Sequence, residues 1–271
     1  VGGQPNPVSS TSCAGRPAST LYCNDFDADP VGVYSVAELR ADWRNPPWDN
    51  GVKEGRVTVF EGESAFHGRS LRVAYPKGAV GPGPGGAQWY LFLGGRYEEL
   101  YLSYRVRFAP GFNFVMGGKL PGLTGTVNGN APGGGHPADG NNGFSARGMW
   151  RGGGEAVQYV YYWDQKTIYG DDLPWAAGAK KRFVPGTWHT VESRVKLNAE
   201  GQQDGVIEAW MDGVQVLSRT NLRIRDKQTS FGIDALFFST FFGGNTQDWA
   251  PTRDETVDYD VFVVSSEPIT H

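Results

Sequence analysis

The chain reads as an all-β protein, a two-sheet antiparallel β-jelly roll, on three observations. It has 271 residues with 39 glycines and 17 prolines, a density of turn formers that leaves little room for long helices. Its 36 aromatics (15 Phe, 12 Tyr and 9 Trp) supply the residues that pleated surfaces favour. Apolar runs recur as short alternating segments bounded by Gly, Pro, Asn or Asp, with no internal repeat and no βαβ pattern. One such sheet, curved into a cleft, is expected to hold a linear polymer.

The segments follow in order. Residues 1–12 are rich in Gly, Pro and Ser and read as a flexible N-terminal segment ahead of one domain over 13–271. Cys13 and Cys23, the only cysteines, lie close together before Asn24-Asp25-Phe26; they predict a disulfide pinning the first strand, and with it a secreted, extracellular or periplasmic protein. Strands are expected at 57–60, 70–75 and 88–92. In Glu99–Phe108 the even positions Leu102, Tyr104, Val106 and Phe108 form an apolar row and Ser103, Arg105 and Arg107 a polar one, which predicts a half-buried strand. Gly117–Gly122 reads as a strand end interrupted by Pro121, and the Gly/Asn-rich stretch 124–143 as a long loop, either functional or disordered.

Residues 143–161 predict a hairpin turning at the triplet Gly152–Gly154, so that Arg151 opposes Glu155, Arg147 opposes Tyr159 and Ser145 opposes Tyr161. Residues 163–182 read as a surface loop. Residues 188–197 alternate, with His189, Val191, Val195 and Leu197 on one face, and His189 there reads as a satisfied core or edge histidine. Asp212-Gly213 joins two strands as a hairpin, and 234–242 and 257–264 close the set.

A formal charge of −4 excludes a generally basic nucleic-acid binder, and no apolar run approaches the ~20 residues of a membrane helix. An anionic ligand therefore needs a local basic patch; neither nucleic acid nor membrane is expected as a partner, and the protein is expected to be a monomer. The glycine clusters are not followed by Gly-Lys-Ser/Thr, so no phosphate cradle is present. Glu208 with Asp212, Glu98 with Glu99, and Asp254 with Glu255 are candidate carboxylate pairs for a glycoside hydrolase, but none lies in an alternating acidic strand pattern. Asp25, Asp27, Asp258 and Asp260 would share a structural calcium if the first and last strands pair; exposed strand-end acids are the commoner case. Lys119, beside Pro121, reads either as a snorkelling surface charge or as a cleft cation.

Gly117–Leu123, Phe144-Ser145-Ala146-Arg147 with Met149-Trp150, Tyr159-x-Tyr161, Gly186-Thr187-Trp188-His189 and Ser239–Gly244 together resemble the polysaccharide lyase family 14 domain, from about Gln88 onward. The resemblance implies a jelly roll that cleaves a polyuronate, most often alginate, by β-elimination, and it places Lys119, Ser145, Arg147, Tyr159 and Tyr161 at the catalytic and substrate-contacting positions. Such chemistry needs a cation to neutralise the C6 carboxylate, a base for the C5 proton and an acid for the departing O4. Cations and phenols supply all three and require no cofactor. The division of base and acid between Lys119 and the two tyrosines stays open at this level. Gln88, Arg105, His136, Tyr169, Trp175 and Lys181 complete the expected substrate-binding set, with Trp249, Lys180 and Arg182 as further loop aromatics and cations. Glucuronan is the alternative substrate, and a non-catalytic carbohydrate-binding jelly roll the alternative protein.

Overall fold

The computed structural model describes residues 12–269; the expected flexible segment 1–12 lies outside them apart from Ser12. In chain order the elements are β1 (Thr20–Asn24), β2 (Gly32–Val33), α1 (Val36–Asp42), β3 (Val57–Glu61), β4 (Arg69–Tyr75), β5 (Ala87–Tyr97), β6 (Glu99–Phe108), β7 (Gly117–Gly125), β8 (Phe144–Arg151) and β9 (Ala156–Tyr161). There follow β10 (Asp171–Pro174), β11 (Ala176–Ala177), β12 (Ala179–Lys180), β13 (Trp188–Lys196), β14 (Gly205–Met211), β15 (Val214–Leu222), β16 (Ile233–Phe242) and β17 (Glu255–Ser265).

Two antiparallel sheets form a jelly roll. The larger has the order β15-β14-β13-β6-β17-β4-β3-β2, with β1 also paired to β17; the smaller has the order β10-β9-β8-β7-β16-β5. Alternation decides what lies between them. Leu102, Tyr104, Val106 and Phe108 of β6 meet Trp89 and Leu91 of β5, Trp150 of β8 and Phe238 and Phe242 of β16 in one apolar cluster. Its centre is aromatic: Trp89 stacks on Phe238 with ring centroids 4.1 Å apart, and Trp43, which follows α1, closes edge-on against both. The short helix is held by a capping box between Ser35 and Glu38; seven residues carry too little periodicity to be seen in the sequence.

The expected hairpins are present, and β1 pairs with β17. Cys13 and Cys23 form the disulfide. The polar row of β6 differs from expectation, because Ser103, Arg105 and Arg107 are buried as well. Arg107 donates to Asp258 and lies 5.3 Å from the Trp188 ring, while Arg105 packs 5.0 Å from Phe66. Loops cover this outer face, and alternation alone does not reveal a covering loop. The four aspartates do not converge on an ion. Asp258 is held by Arg72 and Arg107, Asp260 accepts from Ser70, Asp25 from the Cys13 amide and Asp27 from the Arg69 amide. Among the described residues no group of three or more His, Cys, Asp or Glu is placed to hold a metal.

The span 163–182 is not merely a surface loop. It adds β10 to the edge of the smaller sheet, pairing with β9 from Asp171↔Val160 to Pro174↔Val157, and it sends Trp175 into the core.

Candidate active site

On the smaller sheet the residues that face away from the core are set by strand period. On β8 they are Ser145, Arg147, Met149 and Arg151; on β9, Tyr159 and Tyr161; on β16, Phe237, Ser239 and Phe241; on β5, Gln88 and Tyr90. The register matches the hairpin expectation, with Ser145↔Tyr161 and Arg147↔Tyr159; the Arg151 amide donates to the Glu155 carbonyl at 2.7 Å. The turn works because Gly153 adopts a left-handed conformation, φ 66°.

Strand β7 delivers Lys119. Its neighbour Pro121 has no N–H to pair, and the ladder is interrupted between Lys119 and Gly122 on the β8 side and opposite Phe237–Phe241 on the β16 side. The bulge leaves Lys119 level with Met149 and Phe241. Gly122 permits the close approach that follows, since a methyl group there would sit 2.1 Å from the Ala146 carbonyl oxygen.

These side chains line a cavity of about 600 Å³, closed at its margins by Trp48, Pro82, Tyr169, Gly170, Trp249 and the segment Ala131–Gly134. Its charged lining residues are Lys119, Arg147 and Arg151; no Asp or Glu is among the described residues that line it. Lys119 Nζ lies 3.0 Å from Met149 Sδ and 3.3 Å from the centroid of the Tyr159 ring. Burial, and after it the charges of Arg147 and Arg151, hold the Lys119 ammonium well below the ordinary lysine range. Arg147 is buried, with Nη1 donating to Ser239 Oγ at 3.2 Å, its guanidinium 5.0 Å from the Phe237 ring and its Nε without a partner. A buried guanidinium with an unused donor suits an incoming anion.

The two phenols lie 3.4 Å apart, oxygen to oxygen. Tyr159 Oη accepts the Gly170 N–H at 3.1 Å and Tyr161 Oη the Gly135 N–H at 3.4 Å. With backbone donors on both oxygens, one phenolic proton can bridge the pair and leave the other for the cavity. Burial and the neighbouring Tyr161 push the Tyr159 phenol up, so it keeps its proton.

The structure brings together Lys119, Arg147, Tyr159, Tyr161, Gln88, Tyr169 and Trp249. Ser145 shares their face but is fully buried, and its hydroxyl donates to the Pro132 carbonyl at 3.1 Å, anchoring the segment that walls the cavity. The long loop of 124–143 is thus part of the site. The other expected contacts lie elsewhere. Arg105 is on the opposite sheet; Trp175 is 1% exposed in the core; Lys181 is outside the lining, with its backbone bonded to Trp175 and Ala156; His136 is exposed and outside the lining. Lys180 and Arg182 pair with Glu155. Missed in the sequence were Met149, Arg151, Tyr90, Phe237 and Phe241, all recoverable by continuing the alternation from Arg147, Gln88 and Ser239. Trp48 sits in a coil segment and carries no such signal.

The family model described as Polysaccharide lyase 14 matches residues 63–262. Among solved structures, alginate lyase Aly36B superposes with a TM-score of 0.78 at 26% identity, covering 93% of this chain and 99% of its own. A marine PL-14 alginate lyase from Aplysia kurodai gives 0.76 at 26% identity, covering 92% and 99%. A substituted form of Aly36B, in complex with alginate tetrasaccharide, gives 0.79 at 26% identity, covering 93% and 99%. A comparison with curated protein sequences finds no match.

Proposed function

The chain belongs to polysaccharide lyase family 14 and is a polysaccharide lyase, and from this we propose that residues 13–271 form one catalytic domain that cleaves alginate, polymannuronate above all, by β-elimination. The observation that carries the reading is the make-up of the cavity: three basic side chains and four tyrosines, among them the Tyr159–Tyr161 pair, with no carboxylate among the described lining residues. A hydrolase working through paired carboxylates has no candidates there. An anionic sugar meets two guanidiniums, those of Arg147 and Arg151.

In this proposal Arg147 grips the C6 carboxylate with its planar fork, withdrawing charge so that the C5 proton becomes acidic. Lys119, uncharged because burial and the two guanidiniums disfavour its ammonium, takes that proton. The electron pair left on C5 forms the C4=C5 double bond as the C4–O4 bond breaks, and the O4 leaving group takes a proton from the tyrosine pair. Tyr159, whose phenol is held in its protonated form, suits the acid role. Gln88, Tyr169 and Trp249 hold flanking sugars at the margins. The reaction assigned to these side chains draws on no cofactor. We further propose that the protein works outside the cytoplasm. The disulfide supports this, and among the described residues no helix is long and apolar enough to cross a membrane.

The test is the ultraviolet absorbance of unsaturated uronate during incubation with polymannuronate, polyguluronate and glucuronan. The fastest rise is expected on polymannuronate. A rise on glucuronan alone overturns the substrate; no rise on any polymer, with binding retained, replaces the enzyme by a carbohydrate-binding module.

A further inference from the structure

Arg151 is the cation the elimination leaves unused. It projects from β8 on the same face as Arg147, and Lys119 stands level with Met149 between them. Four residues of strand separate the two arginines by about 13 Å. That is the backbone spacing; the side chains converge on Tyr159, whose ring centroid lies 5.9 Å from the Arg147 guanidinium and 5.7 Å from that of Arg151, and with Arg147 on the reacting carboxylate the Arg151 fork is left for another. Every ring of a polyuronate carries its own carboxylate, and a second cation in the same cavity is therefore matched to a second ring.

The Arg151 side chain is also built for this. Asp172 on β10 takes its Nε–H at 2.8 Å and one Nη2–H at 2.7 Å. The guanidinium lies 5.7 Å from the Tyr159 ring and 5.6 Å from the Trp249 ring. Of its five N–H donors two are spent on Asp172, and the other three have no hydrogen-bond partner among the described residues. Asp172 does not line the cavity, whereas Arg151 does. The pair thus presents its cationic half to the substrate and keeps its anionic half behind it. Trp249, beside the guanidinium, adds a ring face on which a sugar can stack.

We propose that Arg151, positioned by Asp172, is a second carboxylate anchor that binds a uronate neighbouring the one being eliminated, so that the enzyme selects runs of charged sugars over isolated ones. The inference rests on the elimination reading above. Arg151 also faces the reacting amine electrostatically, together with Arg147, Asp172 and the Tyr159 ring. Its loss therefore carries a second signature, a shift in the pH at which Lys119 gives up its proton.

The experiment compares parent, Arg151→Gln and Arg151→Lys on polymannuronate at low and high salt, with polymer affinity measured in parallel by titration calorimetry. The expected result for Arg151→Gln is a KM raised about tenfold, the equivalent of one lost charge-assisted contact, with a flatter dependence of KM on salt and an acid limb of the rate profile moved to higher pH. Arg151→Lys should recover part of the affinity and keep the salt dependence, since it retains the charge without the fork. A parental KM and salt dependence in Arg151→Gln overturns the inference. Should the parent eliminate nothing, the lyase reading fails by itself, and the calorimetric affinities still decide whether Arg151 holds the polymer.

Discussion

Replacing Lys119 by methionine should abolish elimination and make the protein more stable, in a pH-dependent way. Lys119 is 8% exposed, has Met149 Sδ and the Tyr159 ring as its near neighbours, and has two guanidiniums facing it. Desolvating an ion in such a place costs several kcal/mol, of which a cation–π contact returns about 0.5–2 kcal/mol. Methionine fills the same volume without a charge. The expected gain near neutral pH is about 1–2 kcal/mol, seen as a rise of roughly 2–6 °C in Tm for a chain of this size. The sign with pH follows from proton binding. The folded-state pKa lies below the unfolded one, so between the two the unfolded chain holds a proton that the folded protein lacks, and the parent becomes more stable as pH rises through that window. The variant has no such term. Its advantage should be largest below the depressed lysine pKa and should close towards pH ~10, where a lysine is uncharged in either state. Chemical denaturation of both proteins across that range is the assay. A variant less stable than the parent by a margin that does not change with pH would refute the buried, charge-poor lysine on which the base assignment depends.

Two further substitutions separate the roles of neighbouring residues. Arg147→Lys keeps a positive charge but loses the fork, and kcat/KM should fall by about 10²–10³, measured as initial elimination rates with Tm as the folding control. Ser145→Ala leaves the Pro132 carbonyl without its donor, a cost of about 1–3 kcal/mol if that carbonyl stays dry; KM for polymer should rise while the pH profile of kcat stays where it was, because no group near Lys119 has changed charge.

Much of the site was legible because a glycine triplet fixes a hairpin register. Once Gly152–Gly154 form the turn, Arg147 must oppose Tyr159 and Ser145 must oppose Tyr161, and the structure has both pairs. The apolar row of β6 was legible for the same reason, since period-2 patterning fixes which residues share a face. Patterning does not say which sheet a face belongs to, or what covers it. Arg105 alternates as cleanly as Arg147, yet it lies on the outer side of the opposite sheet, beneath Phe66. Trp175 sits in a stretch of mixed polarity that reads as loop, and only the pairing of β10 with β9 turns it into the core. The wall made by Ala131–Gly134 is held by Ser145 at the Pro132 carbonyl and, just past its end, by Tyr161 at the Gly135 amide; these partners are distant in sequence, and no local signal in a Gly/Asn-rich stretch encodes them.

Elimination by a cavity of basic side chains and phenols leaves a mark on the products that hydrolysis does not. Mass spectrometry of the oligosaccharides released from polymannuronate by the parent, with Lys119→Met alongside, reads that mark. Elimination adds no water, so new non-reducing ends should be unsaturated and one water lighter than hydrolysis products, and they should be absent from the variant digest. Saturated products carrying the added water would rule out elimination, and unsaturated ends formed equally well without Lys119 would rule out Lys119 as the base.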